Sequence, residues 1–122
     1  QWQGSVSQEL MTSWVNAHLS KRDMKVEDLC EDFKDGVKLI NTIEEITGKA
    51  VGRYNKNPRM ITQFYDNTSV AFNFLKKDGM TFDATDGTDI TDGNAKLTLG
   101  FVWQLMEHYL FGGKPYAEAK LM

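Results

Sequence analysis

Residues 92–111, DGNAKLTLGFVWQLMEHYLF, carry the densest apolar pattern in the chain. On a helical wheel, Leu97, Leu99, Phe101, Val102, Trp103, Leu105, Met106, Tyr109 and Leu110 fill an arc of roughly 240°, whereas a helix lying on one core needs little more than about 100°. The polar remainder is a narrow stripe of Gly100, Gln104, Glu107 and His108. Two explanations compete. Either this helix is central and covered by its neighbours, or part of the arc serves an external partner. Asp92 is expected to cap the helix, which runs to Phe111. Gly112-Gly113 end it, and Pro115 forbids its continuation.

Working outward, DGVKLINTIEEITGK (35–49) places Val37, Ile40, Ile43 and Ile46 on one stripe, with Gly48 where a left-handed C-cap belongs. DNTSVAFNFLKKDG (66–79) predicts a second helix, capped by Asp66 or Asn67 and closed by Gly79, burying Val70, Ala71, Phe74 and Leu75. Near the start, Ser5 and Gln8 form a capping-box pattern, followed by Leu10, Met11, Trp14, Val15, His18 and Leu19 at helical spacing. Residues 21–34 predict a loop with one helical turn, residues 49–65 a long loop, and residues 80–91 a turn-rich stretch. The fold class is all-α: about four main helices plus short helical turns, joined by long connecting loops.

The chain has 122 residues, 41% of them apolar, which suits one soluble domain with a single core. No apolar run is long enough to span a membrane. The single cysteine, Cys30, excludes a disulfide scaffold and implies a reducing, cytoplasmic setting. A formal charge of -3 does not favour nucleic acid. The charge is uneven, however. Residues 46–65 hold Lys49, Arg53, Lys56 and Arg59 and no acidic residue, while residues 80–95 hold Asp83, Asp86, Asp89 and Asp92 and no basic one. Either these are solvated loops, or they steer the domain towards a charged partner.

No residue pattern predicts catalysis, a metal or a cofactor. There is no phosphate-cradling loop, no HExxH and no GxSxG. His18 and His108 lie on different helices and are expected to be structural. The aspartates of DATDGTDITDG (83–93) recur every three residues, but neither glycine gives an EF-hand register: Gly87 at the sixth position puts Phe82 and Ala84 in ligand slots, and Gly93 puts Thr88 and Ile90 there. Turn formation and N-capping by Asp92 account for them better.

Four blocks in order resemble the calponin-homology fold. MTSWVNAHLS (11–20) is similar to its opening Trp-x-Asn-x-His-Leu pattern, and DFKDGVKLINTIEEITGK (32–49) to its Asp-Gly-x-x-Leu-Ile helix. NTSVAFNFLKKDG (67–79) resembles its Asn-x-x-x-Ala-x-x-Phe-Leu helix, and DITDGNAKLTLGFVWQLMEHYL (89–110) its Asp-Gly-Asn-x-Lys-Leu-x-Leu-Gly-x-x-Trp hallmark. Among subclasses the chain looks like the amino-terminal member of the tandem pair in filamin, α-actinin and spectrin-type crosslinkers. The run RYNKNPRMITQFYDNTSVAFNFL (53–75) is more filamin-like than α-actinin-like. Residues 1–111 are then the domain, and residues 112–122 an interdomain linker or the start of a following helix.

The resemblance implies binding of filamentous actin without catalysis or cofactor, in the actin cytoskeleton, with a second calponin-homology domain in the same polypeptide. Nucleic acid and membrane are not implied as partners. By position, the implied actin contacts are Met11, Ser13, Trp14, Asn16 and Ala17 on the opening helix, and Lys49, Arg53, Lys56 and Arg59 in the basic loop. On the last helix they are Lys96, Leu99, Phe101, Val102, Trp103 and Met106, with Trp103 where the family faces its second domain. Ala17 departs from a usually polar position. Asp83 and Thr85 stand where the family is apolar, which puts the packing of residues 80–91 in question. The alternative is a domain of the same fold that binds a signalling or scaffold protein. A microtubule-binding member would be expected to be more basic than this chain.

Overall fold

The computed structural model describes residues 4–113, with side chains from Ser7 onward. The helices are α1 (Gly4–Leu19), α2 (Leu29–Asp32), α3 (Val37–Thr47), α4 (Ile61–Lys77), α5 (Gly87–Thr91) and α6 (Ala95–Tyr109), with a 3-10 turn at Ser20–Arg22. No strand occurs among the described residues, so the all-α expectation holds. The Ser5 capping box depends on a side chain outside the described residues. The expected linker from Lys114 onward also lies outside them.

The wide arc of α6 has its answer in the packing. Leu99, Phe101, Val102, Leu105 and Met106 are all buried, in one cluster with Met11, Val15 and Leu19 of α1, Leu39, Ile40 and Ile43 of α3, and Ala71, Phe72 and Leu75 of α4. Phe101 stacks on Phe72 with ring centroids 4.7 Å apart, and Phe82 tilts against both. The middle of the helix is central: the stripe of Gly100, Gln104, Glu107 and His108 is partly exposed, and apolar side chains reach solvent only towards the ends, at Leu97, Tyr109 and Leu110. An all-round apolar helix is the pattern a buried element requires.

Several helix boundaries differ from the expected ones because other side chains supply the caps. Asn94, not Asp92, caps α6, accepting from the Leu97 amide at 3.1 Å. Asp92 instead ends α5 and accepts a hydrogen bond from the Tyr65 hydroxyl at 2.5 Å. Helix α4 begins at Ile61, earlier than expected, because the Gln63 carboxamide oxygen accepts from the amides of Arg59 (2.6 Å) and Met60 (3.0 Å). Asp66 and Asn67 are therefore interior to the helix rather than caps. Gly48 does close α3 in the left-handed region, at φ 69°.

Two close approaches set the frame. Gly36 opens α3 at φ 83°, and a Cβ there would stand 2.5 Å from the Asn67 Cβ. Gly87 opens α5 against α4, where a Cβ would lie 2.8 Å from the Thr68 carbonyl carbon. Only glycine permits both contacts.

Candidate interaction surface

The basic loop is the best-defined surface feature, and its order comes from side chains that reach into it. Asn67, fully buried in α4, donates to the carbonyls of Asn55 (2.8 Å) and Asp35 (2.9 Å) and accepts from the Asn55 amide at 2.9 Å. Glu44 accepts from the Val51 amide at 3.0 Å, and the Asn55 side chain accepts from the Asn57 amide at 2.9 Å. With Gln63 holding Arg59 and Met60, the loop is pinned at both ends and in the middle. Arg53, Lys56 and Arg59 are exposed, and none has an ion pair among the described residues. Lys56 lies 6.0 Å from the centre of the Tyr54 ring, a distance at the outer edge of cation–π attraction.

Lys49 behaves differently. Its ammonium donates to Asp78 at 2.7 Å, and the other Asp78 oxygen accepts from the Tyr109 hydroxyl at 2.7 Å. The Lys49 bond, then the Tyr109 bond, hold the Asp78 carboxyl below the ordinary carboxylate range. Burial first, and the Asp78 bond second, push the Tyr109 phenol upward. This triad ties the start of the basic loop to the ends of α4 and α6. Of the expected contacts, the structure thus joins Lys49 to the last helix through its far end.

On α1, Ser13 and Ala17 are exposed, while Trp14 is half-buried and edge-on to His18 at 5.5 Å. Asn16 is half-buried and pairs both ways with the Val26 backbone, at 2.9 and 2.8 Å, so its amide is a structural tie. Burial, then Lys21, lower the His18 pKa and so favour the neutral ring. A groove of about 530 Å³ runs beside this face, lined by Gln8, Glu9, Thr12, Ser13 and Glu27. Met11, on the same helix, is fully buried.

The expected contacts on α6 divide sharply. Lys96 is exposed and lines an apolar groove of about 370 Å³ with Leu97, Gly100, Gln104 and residues 83–85. Leu99, Phe101, Val102 and Met106 are 4% exposed or less, and Trp103, beneath Phe111 at 6.3 Å, is 9% exposed. Those apolar side chains, with Met11, belong to the core and present almost no surface to a partner in this conformation. Exposed apolar area lies elsewhere. Met60 and Ile61, at 59% and 52% exposed, adjoin Arg59, and Leu10 and Leu110 stand at 41% and 50%. The sequence carried one hint of the first pair: Gln63, three residues after Met60, is the spacing of a helix start.

Among the described residues no three His, Cys, Asp or Glu side chains converge as metal ligands. Two of the aspartates of residues 83–92 are used locally. Asp86 caps α5 by accepting from the Thr88 amide at 2.9 Å, and Asp89 accepts from the Asp86 amide at 2.9 Å. No described helix is long and apolar enough to cross a membrane.

The profile of the calponin homology (CH) domain matches residues 5–111. The chain belongs to the calponin homology family. It is 43% identical over 107 residues to alpha-actinin-like protein 1 of Schizosaccharomyces pombe, covering 87% of this chain and 17% of the relative. It is 38% identical over 109 residues to Filamin-A of Drosophila melanogaster, covering 89% of this chain and 5% of the relative. It is also 42% identical over 100 residues to guanine exchange factor for Rac 30 of Dictyostelium discoideum, covering 79% of this chain and 6% of the relative. The chain therefore spans a small part of the length of these relatives.

Within this CH domain, the departures at Asp83 and Thr85 lie on the rim of the groove beside Lys96 and Leu97. Asp83 is exposed, Thr85 is half-buried, and the neighbouring Phe82 supplies the apolar contact to Phe72 and Phe101. The Asp78 triad gives the CH domain a pH signature. Because the folded carboxyl lies below its unfolded value, its stabilisation is present above the unfolded pKa and lost as pH falls through the folded one. Asp78→Asn is expected to cost about 1 kcal/mol at neutral pH. Urea titrations across the acid range should show the two proteins converging below the carboxylate range; a constant gap would reject the assignment.

Proposed function

We propose that the chain binds filamentous actin as the first calponin-homology domain of a tandem pair in a crosslinking protein. The observation that carries this is the pinned basic loop, which holds Arg53, Lys56 and Arg59 exposed and without ion pairs among the described residues. A preorganised cationic surface steers the domain to an acidic filament and loses little side-chain freedom elsewhere on contact. The named relatives, alpha-actinin-like protein 1 and Filamin-A, support the same partner. Ser13, Trp14 and Ala17 on α1, and Lys96 at the start of α6, complete the proposed contact. Met60 and Ile61 supply the apolar component first assigned to the interior of α6.

In a tandem, a second CH domain lying over part of this surface would set affinity by the population of the open arrangement. The relative named as a guanine exchange factor supports a second reading, an interaction domain in a signalling protein. Co-sedimentation of residues 1–122 with actin filaments separates the two. Arg53→Glu combined with Lys56→Glu is expected to weaken pelleting about ten-fold at low salt, with a smaller loss at physiological salt. The melting temperature should hardly move, since neither side chain has an ion pair among the described residues. Equal pelleting by wild type and variant would remove the loop from the contact, and a folded wild type that never pellets would favour the signalling reading.

A further inference from the structure

We propose that Met60 is a site of reversible oxidation by hydroperoxides, and that its sulfoxide weakens the domain's hold on an acidic partner. The second clause rests on the actin reading above; the first stands without it. The chain has six methionines. Met11 and Met106 are fully buried, Met80 is 5% exposed, and Met24 packs partly buried against the core. Met60 is 59% exposed. Met122 lies outside the described residues.

Position makes this exposure consequential. Met60 is the N-cap of α4 in extended backbone, and Gln63 fixes its amide and that of Arg59. Its thioether is thus displayed beside exposed Ile61 and between the loop cations and the first turn of α4. A hydroperoxide transfers its terminal oxygen to the sulfur. The O–O bond breaks, an S–O bond forms, the sulfur gives up two electrons, and the peroxide leaves as water or an alcohol. Two thiols reverse the step by forming a disulfide and releasing water, a reaction that methionine sulfoxide reductases catalyse. The sulfoxide dipole must be desolvated whenever this patch is covered, so an apolar contact becomes a costly one. Cys30 is a poor competitor. It is half-buried, and burial, then Asp28 and Glu31, push its thiol upward and leave little reactive thiolate.

The test uses residues 1–122 with Cys30→Ser, briefly exposed to hydrogen peroxide and then freed of oxidant with catalase. Peptide mapping by mass spectrometry should find Met60 sulfoxide forming about ten-fold or more faster than that of Met11, Met80 or Met106. Equal rates would overturn the site. The oxidised protein is then pelleted with untreated actin filaments. Binding about five-fold weaker, restored by a methionine sulfoxide reductase with thiol and absent as an effect in Met60→Leu, is the expected pattern. Undiminished binding of the oxidised chain overturns the switch and leaves the actin reading intact. An equal loss in oxidised Met60→Leu assigns the effect to another methionine and also overturns it. If untreated, folded protein fails to pellet, the actin reading falls and the switch with it, while the oxidation site is decided by the mapping.

Discussion

Replacing Phe101 with alanine should destabilise the domain by about 3–5 kcal/mol, a large share of the roughly 5–15 kcal/mol that holds a small domain together. The ring has no exposed area, stacks on Phe72 at 4.7 Å and meets Phe82 at 5.9 Å. Its removal leaves a cavity between α4, α6 and the segment after α4. The two facing rings lose dispersion contacts, and Phe72 cannot regain them without a shift of α4. Urea denaturation measures the loss directly. The same variant also separates two roles for the last helix. If Phe101 is core, the fraction that remains folded binds partners as wild type does, and any fall in binding follows the folded population. A variant of nearly wild-type stability that no longer binds would instead make Phe101 a contact residue and reverse its assignment to the core.

The second large effect is expected at Asn67. Its side chain is fully buried; the amide donates to two carbonyls, on Asp35 and Asn55, and the oxygen accepts from the Asn55 amide. Asn67→Asp keeps the acceptor and turns the donor end into an oxygen facing two carbonyl oxygens. Leaving those groups unpaired, or burying a charge among them, should cost about 3–5 kcal/mol at neutral pH. The new carboxyl would be protonated more readily in the folded state than in the unfolded chain. The penalty therefore grows as pH rises through the unfolded pKa and shrinks below it, where a protonated acid can donate once. Urea titrations at pH 7 and at about pH 4 should show this difference. Hydrogen exchange should show Asn55 and Asn57 losing protection ahead of α6, because Asn67 joins the loop to the frame. A small effect independent of pH, with the loop still protected, would mean that the loop is ordered by Glu44 and Gln63 alone.

The two sites show how differently the chain discloses its parts. The apolar arc of residues 97–111 is visible in the sequence because helical periodicity is a local property, fixed by residues three and four apart. So are the stripe of Val37, Ile40, Ile43 and Ile46, the C-cap at Gly48 and the charge segregation between residues 46–65 and 80–95. Asn67 is not legible in the same way. Beside Asp66 it has the composition of a helix cap, and only the approach of Gly36 and the basic loop turns it into a buried tie. Asp92 was open to the same confusion, since a capping aspartate and one that receives a tyrosine hydroxyl from another helix look alike in sequence.

By itself, then, the sequence determined the helical class, the order of its main elements, the family pattern and the sign of each loop's charge. Each of these depends on neighbours along the chain. The tertiary structure decided which side of an apolar helix meets solvent. It placed Leu99, Phe101, Val102 and Met106 in the core and left Met60 and Ile61 outside. It also decided that Lys49 is held by Asp78 while Arg53, Lys56 and Arg59 stay exposed without ion pairs among the described residues. Burial and ion pairing are properties of the space between elements, and a local pattern cannot report how many neighbours will close around it.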